Sequence, residues 1–256
     1  MDVSEHTRLG AIGLSQLIGS GQVSILSLYD RSIANIEAME RQTGTAERVE
    51  AAALRLFASR GFEGTGIRSI ADEAGISIAS LYHYMGTKED LLARLMQKSM
   101  HNLLGPAEAV EHESTDPREA IERLVDLHVR RHAEDNLLSI VGDNEIRSLT
   151  EARRREMVSL RDAYEGIWER TIGVGANQQI FVVQDVKLAT LALLEMCTGV
   201  AYWYARGGRL SLDAVSKGFV EMALNLLGST TSGRREPRPH LGSKTPERDR
   251  GRRGGT

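Results

Sequence analysis

The chain has 256 residues, of which 41% are hydrophobic and 26% charged, and it carries one cysteine and a formal net charge of −3. A composition of this kind predicts a globular protein of one or two domains and excludes an intrachain disulfide, and no run approaches the roughly 20 apolar residues that span a bilayer. The first residues are polar and acidic where a secretory signal would be basic, so we expect a cytoplasmic protein with no membrane partner.

Apolar residues recur at helical spacing and not in alternating runs, which predicts an all-α fold. Residues 1–44 predict an N-terminal extension of two short helices. Within it, residues 9–40 resemble the N-terminal helical pair of amidase-signature enzymes. Those enzymes need a Ser–Ser–Lys set in a Gly/Ser-rich core, which the sequence lacks, so we expect no enzyme. Two explanations of the extension stay open: translation from Met39, or an additional helical pair.

Residues 45–98 predict a DNA-binding domain. Its first helix is expected from about Ala46 to Ser59. Ile67 to Ala74 then gives a short helix that Gly75 can end, because glycine adopts positive φ without penalty. Ser77 can cap a second short helix through Tyr84. Two short helices joined by a glycine-containing turn predict a helix-turn-helix, although an ordinary helical hairpin fits the spacing equally well.

The segments that decide between these alternatives are Ala53–Phe57, Arg60–Phe62, Ile70–Ser77, Ser80–Tyr84 and Thr87–Leu92. With them, Ala51 to Leu92 resembles the DNA-binding domain of TetR-type transcriptional repressors. The resemblance implies that the chain binds double-stranded DNA. The residues that it places at the DNA are Thr65, Arg68, Ser77, Ile78, Ala79, Ser80, Tyr82, His83, Tyr84 and Lys88.

Several of these assignments have alternatives. Ile78 can meet a thymine methyl group or be buried, and one of the two tyrosines is expected in the core. Lys88 is expected to clamp a phosphate at a helix N-terminus, or else to lie in a solvated first turn. Between Thr45 and Met100, seven Lys or Arg face seven Asp or Glu, so phosphate contacts must come from local placement rather than from net charge.

Residues 104–228 predict a helical ligand-binding and dimerisation domain. Helices are expected at Pro117–His132, Leu137–Leu149, Glu151–Ile172, Asp185–Ala205 and Ser211–Leu227. TetR-type proteins form homodimers through their last two helices. The resemblance therefore places Leu188, Leu191, Ala192, Glu195, Met222 and Leu226 in such an interface, with a single-chain core as the alternative.

Part of this domain has a narrower resemblance. Asp143–Leu149, Arg161–Glu165, Met196–Ala201, Trp203–Tyr204 and Gly207–Ser211 resemble the C-terminal domain of actinobacterial TetR-type repressors of steroid catabolism. Those repressors release DNA when they bind an acyl-CoA. The effector-binding residues that this implies are Arg147, Met157, Arg161, Tyr164, Trp168, Met196 and Trp203, with Arg153, Arg154 and Arg155 as phosphate partners. A solvated arginine face and an aromatic core are the alternative.

The tail from residue 229 to residue 256 carries eight Lys or Arg against three Asp or Glu and predicts a disordered segment that adds sequence-independent attraction to DNA. Together, these features predict a ligand-responsive repressor that binds a palindromic operator as a homodimer, with no cofactor and no metal. A constitutive DNA-binding protein and a small-molecule-binding helical module without control of DNA release are the alternatives.

Overall fold

A computed structural model describes residues 44–229 of the chain. The helices expected before this range and the basic tail expected after it lie outside the described residues. Inside the range the chain is helical and has no strand, which confirms the all-α prediction. The helices are α1 (Thr45–Arg60), α2 (Ile67–Ala74), α3 (Ile78–Met85), α4 (Lys88–Glu113), α5 (Pro117–Glu134), α6 (Asn136–Asn144), α7 (Glu151–Asn177), α8 (Val186–Thr198), α9 (Val200–Trp203) and α10 (Leu212–Leu226), and a 3-10 turn covers Ile146–Ser148.

Helices α1 to α3 pack together around a small apolar core and rest on the first turns of α4. Phe57 of α1 and Phe62 of the following turn are both buried, with their ring centroids 5.4 Å apart. From α3, Leu81 and Met85 enter the same core. Burial of these large side chains fixes α3 against α1 and leaves its opposite side exposed.

The C-terminal bundle is built around α5, which contacts α4, α7, α8 and α10. Asp116 accepts a hydrogen bond from the Arg118 amide and Pro117 occupies the first helical position, so α5 starts where the sequence predicts. Ile121 and Leu124 of α5 and Trp168 of α7 are fully buried. Helix α4 is continuous across the predicted domain boundary at residues 98–104, and thus belongs to both halves.

Three helix boundaries differ from the predictions. The helix expected over Leu137–Leu149 stops at Asn144, and a 3-10 turn follows. The helix expected over Asp185–Ala205 divides at Gly199. The break expected after Ile172 is wrong, because α7 continues to Asn177. Gly175 is a glycine within this helix because the Phe181 ring packs against its backbone and leaves no room for a Cβ atom.

Among residues 44–229, one segment, Val186–Trp203, is long and apolar enough by composition to cross a membrane, with a mean hydropathy of 1.2 and a third of it buried. Core helices of soluble proteins meet the same criterion. The segment contains the division at Gly199 and two charged side chains, Lys187 and Glu195.

Candidate nucleic-acid interface and effector site

The turn between α2 and α3 is held by backbone geometry. Gly75 has φ +67° and ψ +37°, and its N–H donates to the carbonyls of Ala71 and Asp72. The Ile76 N–H donates to the Ala71 carbonyl at 3.0 Å. Ser77 then accepts a hydrogen bond from the Ser80 amide at 3.1 Å and caps α3. These contacts produce the expected helix-turn-helix, with α3 as its second helix.

The start of α4 fixes both ends of this motif. Arg94 donates from Nη1 to the Met85 carbonyl at 3.0 Å and from Nη2 to the Tyr84 carbonyl at 2.9 Å, which satisfies two carbonyls at the end of α3. Lys88 donates from Nζ to the Phe62 carbonyl at 2.8 Å and to the Thr65 carbonyl at 3.0 Å. Its ammonium also lies 4.1 Å from the centroid of the Phe62 ring.

Two of the predicted DNA contacts need correction. The Lys88 ammonium is occupied inside the protein and stabilises the turn between α1 and α2, and is not directed at a phosphate. Thr65 is buried, and its hydroxyl donates to the Gly61 carbonyl at 2.8 Å, so it cannot present that hydroxyl to DNA. The Lys88 ammonium and the Thr65 hydroxyl both donate to main-chain carbonyls of the turn between α1 and α2, where few carbonyls are paired within a helix.

The outer side of α3 and its N-terminus carries exposed side chains. Tyr82 is 52% exposed and Tyr84 is 37% exposed, so the expectation that one of them lies in the core is wrong. The His83 ring is exposed and meets the Tyr84 ring edge-on, with centroids 5.3 Å apart. Ile78 packs partly against the core. The predicted contacts exposed on this side of α3 and its N-terminus are Ser77, Ala79, Tyr82, His83 and Tyr84, with Ser80 half-buried, and Arg68 is exposed in the first turn of α2.

A group of polar side chains lies buried in the C-terminal bundle. His128 of α5 is hydrogen-bonded through Nδ1 to the Tyr164 hydroxyl and through Nε2 to the Thr198 hydroxyl, both at 3.0 Å. The His132 ring stacks on His128 with centroids 3.9 Å apart, and its Nδ1 donates to the His128 carbonyl at 2.9 Å. Trp168 lies beside them, and its indole nitrogen is buried with no hydrogen bond of normal geometry to any described residue.

Burial controls the protonation of this polar group. It holds the pKa of His128 well below the usual value, with help from the neighbouring His132, and it lowers the pKa of His132 to about 4. Burial also raises the pKa of the Tyr164 hydroxyl. At neutral pH these side chains are therefore uncharged, and they can form hydrogen bonds with a neutral polar atom of a bound molecule.

The structure divides the predicted effector residues among several places. Tyr164 and Trp168 belong to the buried polar group, and Met157 is buried in the core nearby on α7. Met196 is partly buried. Trp203, by contrast, is 47% exposed and stacks on Phe219 at 6.1 Å. The residues of this group that the sequence analysis missed are His128, His132 and Thr198. Two histidines four residues apart on a buried helix face were the available signal.

The predicted arginines are also dispersed. Arg147 is exposed on the 3-10 turn. Arg161 donates to the Gly142 carbonyl at 2.7 Å and lies 3.5 Å from Asp143, so it holds the end of α6. The expected phosphate cluster of Arg153, Arg154 and Arg155 is not a cluster of unpaired charge. Arg153 pairs with Asp90, and the other two pair with Glu151.

Large apolar side chains remain exposed on α8 and α10. Leu188 is 65% exposed, and Leu191, one turn further along α8, is also exposed. Met222 and Leu226 are exposed four residues apart on α10. The two helices contact each other, and we call these four exposed apolar residues together the α8/α10 face.

Comparison with protein families identifies two matching models. Residues 51–95 match the model described as bacterial regulatory proteins, tetR family. Residues 114–227 match the model described as tetracyclin repressor-like, C-terminal domain. The first covers α2, α3 and most of α1, and the second covers α5 to α10.

Individual proteins agree with these matches. The HTH-type transcriptional repressor KstR2 of Rhodococcus jostii RHA1 is 28% identical over 179 residues, which are 69% of this chain and 88% of that protein. A tetR-family regulatory protein from Rhodococcus RHA1 has a TM-score of 0.68 and 26% identity over 74% of this chain and all of its own. AibR, solved in complex with isovaleryl coenzyme A and operator DNA, has a TM-score of 0.65 at 21% identity over 73% of this chain and all of its own.

Proposed function

We propose that this chain, which belongs to the TetR family of bacterial transcriptional regulators, binds a palindromic operator as a homodimer and releases it when an acyl-CoA effector enters the C-terminal bundle. Like its relatives, it is a DNA-binding regulator and not an enzyme. A regulator of this kind, which acts on DNA inside the cell, is cytoplasmic.

The exposed side of α3 is the observation that carries the DNA-binding part. Met85 and Leu81 anchor the helix from below, while Arg94 fixes its C-terminal carbonyls. The side chains that remain exposed, chiefly His83, Tyr82 and Ala79, match in size and chemistry a helix that enters a major groove. Arg68 and the hydroxyl groups of Tyr82 and Tyr84 are suited to flanking phosphates.

The α8/α10 face supports the homodimer. A contiguous apolar surface on two adjacent helices is costly to expose to water, and a second copy of the same surface covers it with closed two-fold symmetry. Two copies packed in this way form a four-helix interface. Each dimer then presents two α3 helices, which read the two halves of a palindrome about one helical turn of DNA apart.

The buried polar group supports an effector that carries a carbonyl group. The buried Trp168 indole N–H lies by the Tyr164 hydroxyl without a hydrogen bond of normal geometry, so it lacks a well-placed acceptor, which is unusual in a packed core because the group has lost its water partner. The thioester carbonyl of an acyl-CoA offers Trp168 that acceptor, with Tyr164 and His128 adjacent. AibR, which shares the fold, was solved with an acyl-CoA, isovaleryl coenzyme A.

Selection of bound sequences from a random DNA pool tests the proposal. The bound fraction is washed with a mixture of short-, medium- and long-chain acyl-CoA esters before elution. We expect enrichment of a palindrome that this wash releases. A palindrome that resists the wash favours the constitutive DNA-binding protein, whereas no enrichment favours the helical module without a DNA role.

A variant then assigns the reading helix. His83→Ala is expected to weaken binding to the selected operator by about 1–3 kcal/mol if the imidazole meets a base edge. His101→Ala is the matched control, since His101 is an exposed histidine of α4 outside the helix-turn-helix. Equal binding by the two variants would remove His83 from the interface.

A further inference from the structure

Residues far apart in the sequence connect the DNA-binding domain directly to the C-terminal bundle. On one side of the contact are Phe62, which follows α1, and Glu89 and Asp90, in the first turn of α4. On the other are Glu145, Thr150 and Arg153, which surround the 3-10 turn between α6 and α7. We call this set of contacts the interdomain clasp; its members are Phe62, Glu89, Asp90, Glu145, Thr150 and Arg153.

Glu145 forms the first arm of the clasp. One carboxylate oxygen accepts a hydrogen bond from the Phe62 N–H at 3.1 Å, and the other accepts from the Ser148 hydroxyl at 2.8 Å. Its own N–H donates to the Val141 carbonyl, so Glu145 is fixed to the end of α6. A charged acceptor makes a stronger hydrogen bond than a neutral one, and this bond therefore holds the end of α1 against α6.

Asp90 and Glu89 form the second arm. Glu89 accepts a hydrogen bond from the Thr150 N–H at 2.8 Å, at the start of α7. The Arg153 guanidinium donates a hydrogen bond to the Asp90 carboxylate. The same carboxylate accepts a hydrogen bond from the Thr87 N–H at 2.8 Å, which completes the capping box at the start of α4. Hydrogen bonds to these partners lower the pKa of both carboxyl groups. Since Thr87 directly follows the turn that ends α3, this arm joins α7 to the exit of the reading helix.

The bundle side of the clasp is linked to the buried polar group. Helix α6 contacts α1 of the DNA-binding domain on one side and α9 on another. Helix α9 follows Thr198, which is hydrogen-bonded to His128. Arg161, one turn before Tyr164 on α7, donates to the Gly142 carbonyl near the end of α6. A molecule inserted at Tyr164 and Trp168 has to separate the helices that meet there, and Arg161 and α9 connect two of these, α7 and α8, to α6.

We propose that Glu145 and Arg153 are positioning residues that fix the orientation of the DNA-binding domain on the C-terminal bundle, and that opening of this clasp is the step by which the effector changes the separation of the two α3 helices. The second half rests on the function proposed above; the first half does not. Arg153 Nη1 is buried and has no hydrogen-bond partner in the described part of the chain, so the closed clasp leaves one donor unsatisfied. That lowers the cost of opening the clasp.

Distance measurement tests the clasp without DNA or effector. Nitroxide labels are placed at Ala79→Cys on α3 and Val158→Cys on α7, and labelled protein is diluted with unlabelled protein so that distances within one chain dominate. Both positions are exposed, whereas Cys197 is buried and burial raises the pKa of its thiol to about 12, so it stays unlabelled. One narrow distance distribution is expected for the otherwise unaltered chain.

Glu145→Ala and Arg153→Ala should each broaden that distribution. Glu145→Gln should restore the narrow distribution, because its amide oxygen still accepts from the Phe62 N–H. Glu151→Ala is the control, since its carboxylate pairs with Arg154 and Arg155 of its own helix. An unchanged distribution in the Glu145→Ala, Arg153→Ala double variant would overturn the proposal.

Operator binding then extends the test to function. On operators whose half-site spacing is changed by one base pair, the intact chain is expected to lose affinity by about tenfold, and the double variant to lose much of this preference. If the variants show broader distance distributions but the intact chain binds no operator, the clasp proposal stands and the proposed function is rejected. Operator binding with unchanged distances would retain the function and reject the clasp.

Discussion

Lys88 shows how one side chain can match a family pattern and yet act differently. At the N-terminus of α4, a lysine has the charge and the position of a phosphate ligand. In the folded chain its ammonium instead donates to the carbonyls of Phe62 and Thr65 and lies over the Phe62 ring. The position in the sequence gives the helix terminus correctly, but the direction of a flexible four-carbon side chain depends on which unsatisfied carbonyls lie within its reach.

We predict that Lys88→Met lowers the stability of the DNA-binding domain by about 1–3 kcal/mol, the range for loss of hydrogen bonds to a charged group. Operator affinity should fall, while the slope of log affinity against log salt concentration should stay the same, because no phosphate contact is lost. Urea unfolding and anisotropy titrations at several salt concentrations measure the two quantities. A slope reduced by about one unit would return Lys88 to the phosphate contacts.

At the scale of the element, helix starts were predictable and several helix ends were not. Ser77, Thr87 and Ser211 each accept a hydrogen bond from an amide three residues later, as their side chains allow in any context. The end of α7 depends on packing between distant residues. Gly173 and Gly175 suggest a break on their own, but Phe181 needs the space beside Gly175 within a continuous helix.

The candidate site was predictable in part for a similar reason. On the side of α3 opposite Leu81 and Met85, most of the exposed residues are ones that the TetR-type resemblance had placed at the DNA. The hydrogen bonds of His128 join α5 to Tyr164 on α7 and Thr198 on α8, and no local pattern specifies which of three helices meet. Similarly, the contact of Glu145 with Phe62 joins residues that are 83 positions apart.

The stacked histidines of α5 predict an acid-sensitive bundle. An unfolded histidine has a pKa near 6.5, whereas burial keeps the pKa of His132 at about 4 in the folded chain. Between these values the unfolded state binds more protons, so the free energy of unfolding decreases as the pH falls from 6.5 towards 4. For His132 the loss between pH 7 and pH 5 is about 2 kcal/mol, and His128 acts in the same direction.

Urea unfolding at pH 7 and pH 5, at one protein concentration, measures this loss. His132→Leu removes one of the two groups and should leave a smaller difference between the two pH values, even if it is less stable at both. The exposed His112, changed to Leu, is the control and should keep the full difference. An identical pH dependence in all three proteins would show that the buried histidines do not bind protons on unfolding.

At the scale of the whole molecule, the C-terminal bundle can control operator binding through the separation of two α3 helices only if the α8/α10 face joins two chains. A single chain presents one α3 helix, and its clasp orients that helix relative to its own bundle alone. Pairing through α8 and α10 turns the same orientation into a distance between two reading helices. In the proposed dimer the spacing of the operator half-sites must match that distance, so small rotations at each clasp are expected to change operator affinity.

We therefore predict that Leu188→Glu converts the dimer into monomers. Glutamate in this face would place two carboxylates in the proposed contact between the chains, where their desolvation would cost several kcal/mol. Sedimentation velocity at micromolar concentration should show one species near 28.2 kDa for the variant and one of twice that mass for the unaltered chain. Val158→Glu, at an exposed apolar position on α7 outside the face, should stay dimeric. Because affinity for a palindrome depends on two linked half-sites, the Leu188→Glu monomer should bind the full operator only about as tightly as an isolated half-site. A variant that remains dimeric would show that another surface joins the two chains and would separate the α8/α10 face from the control of operator spacing.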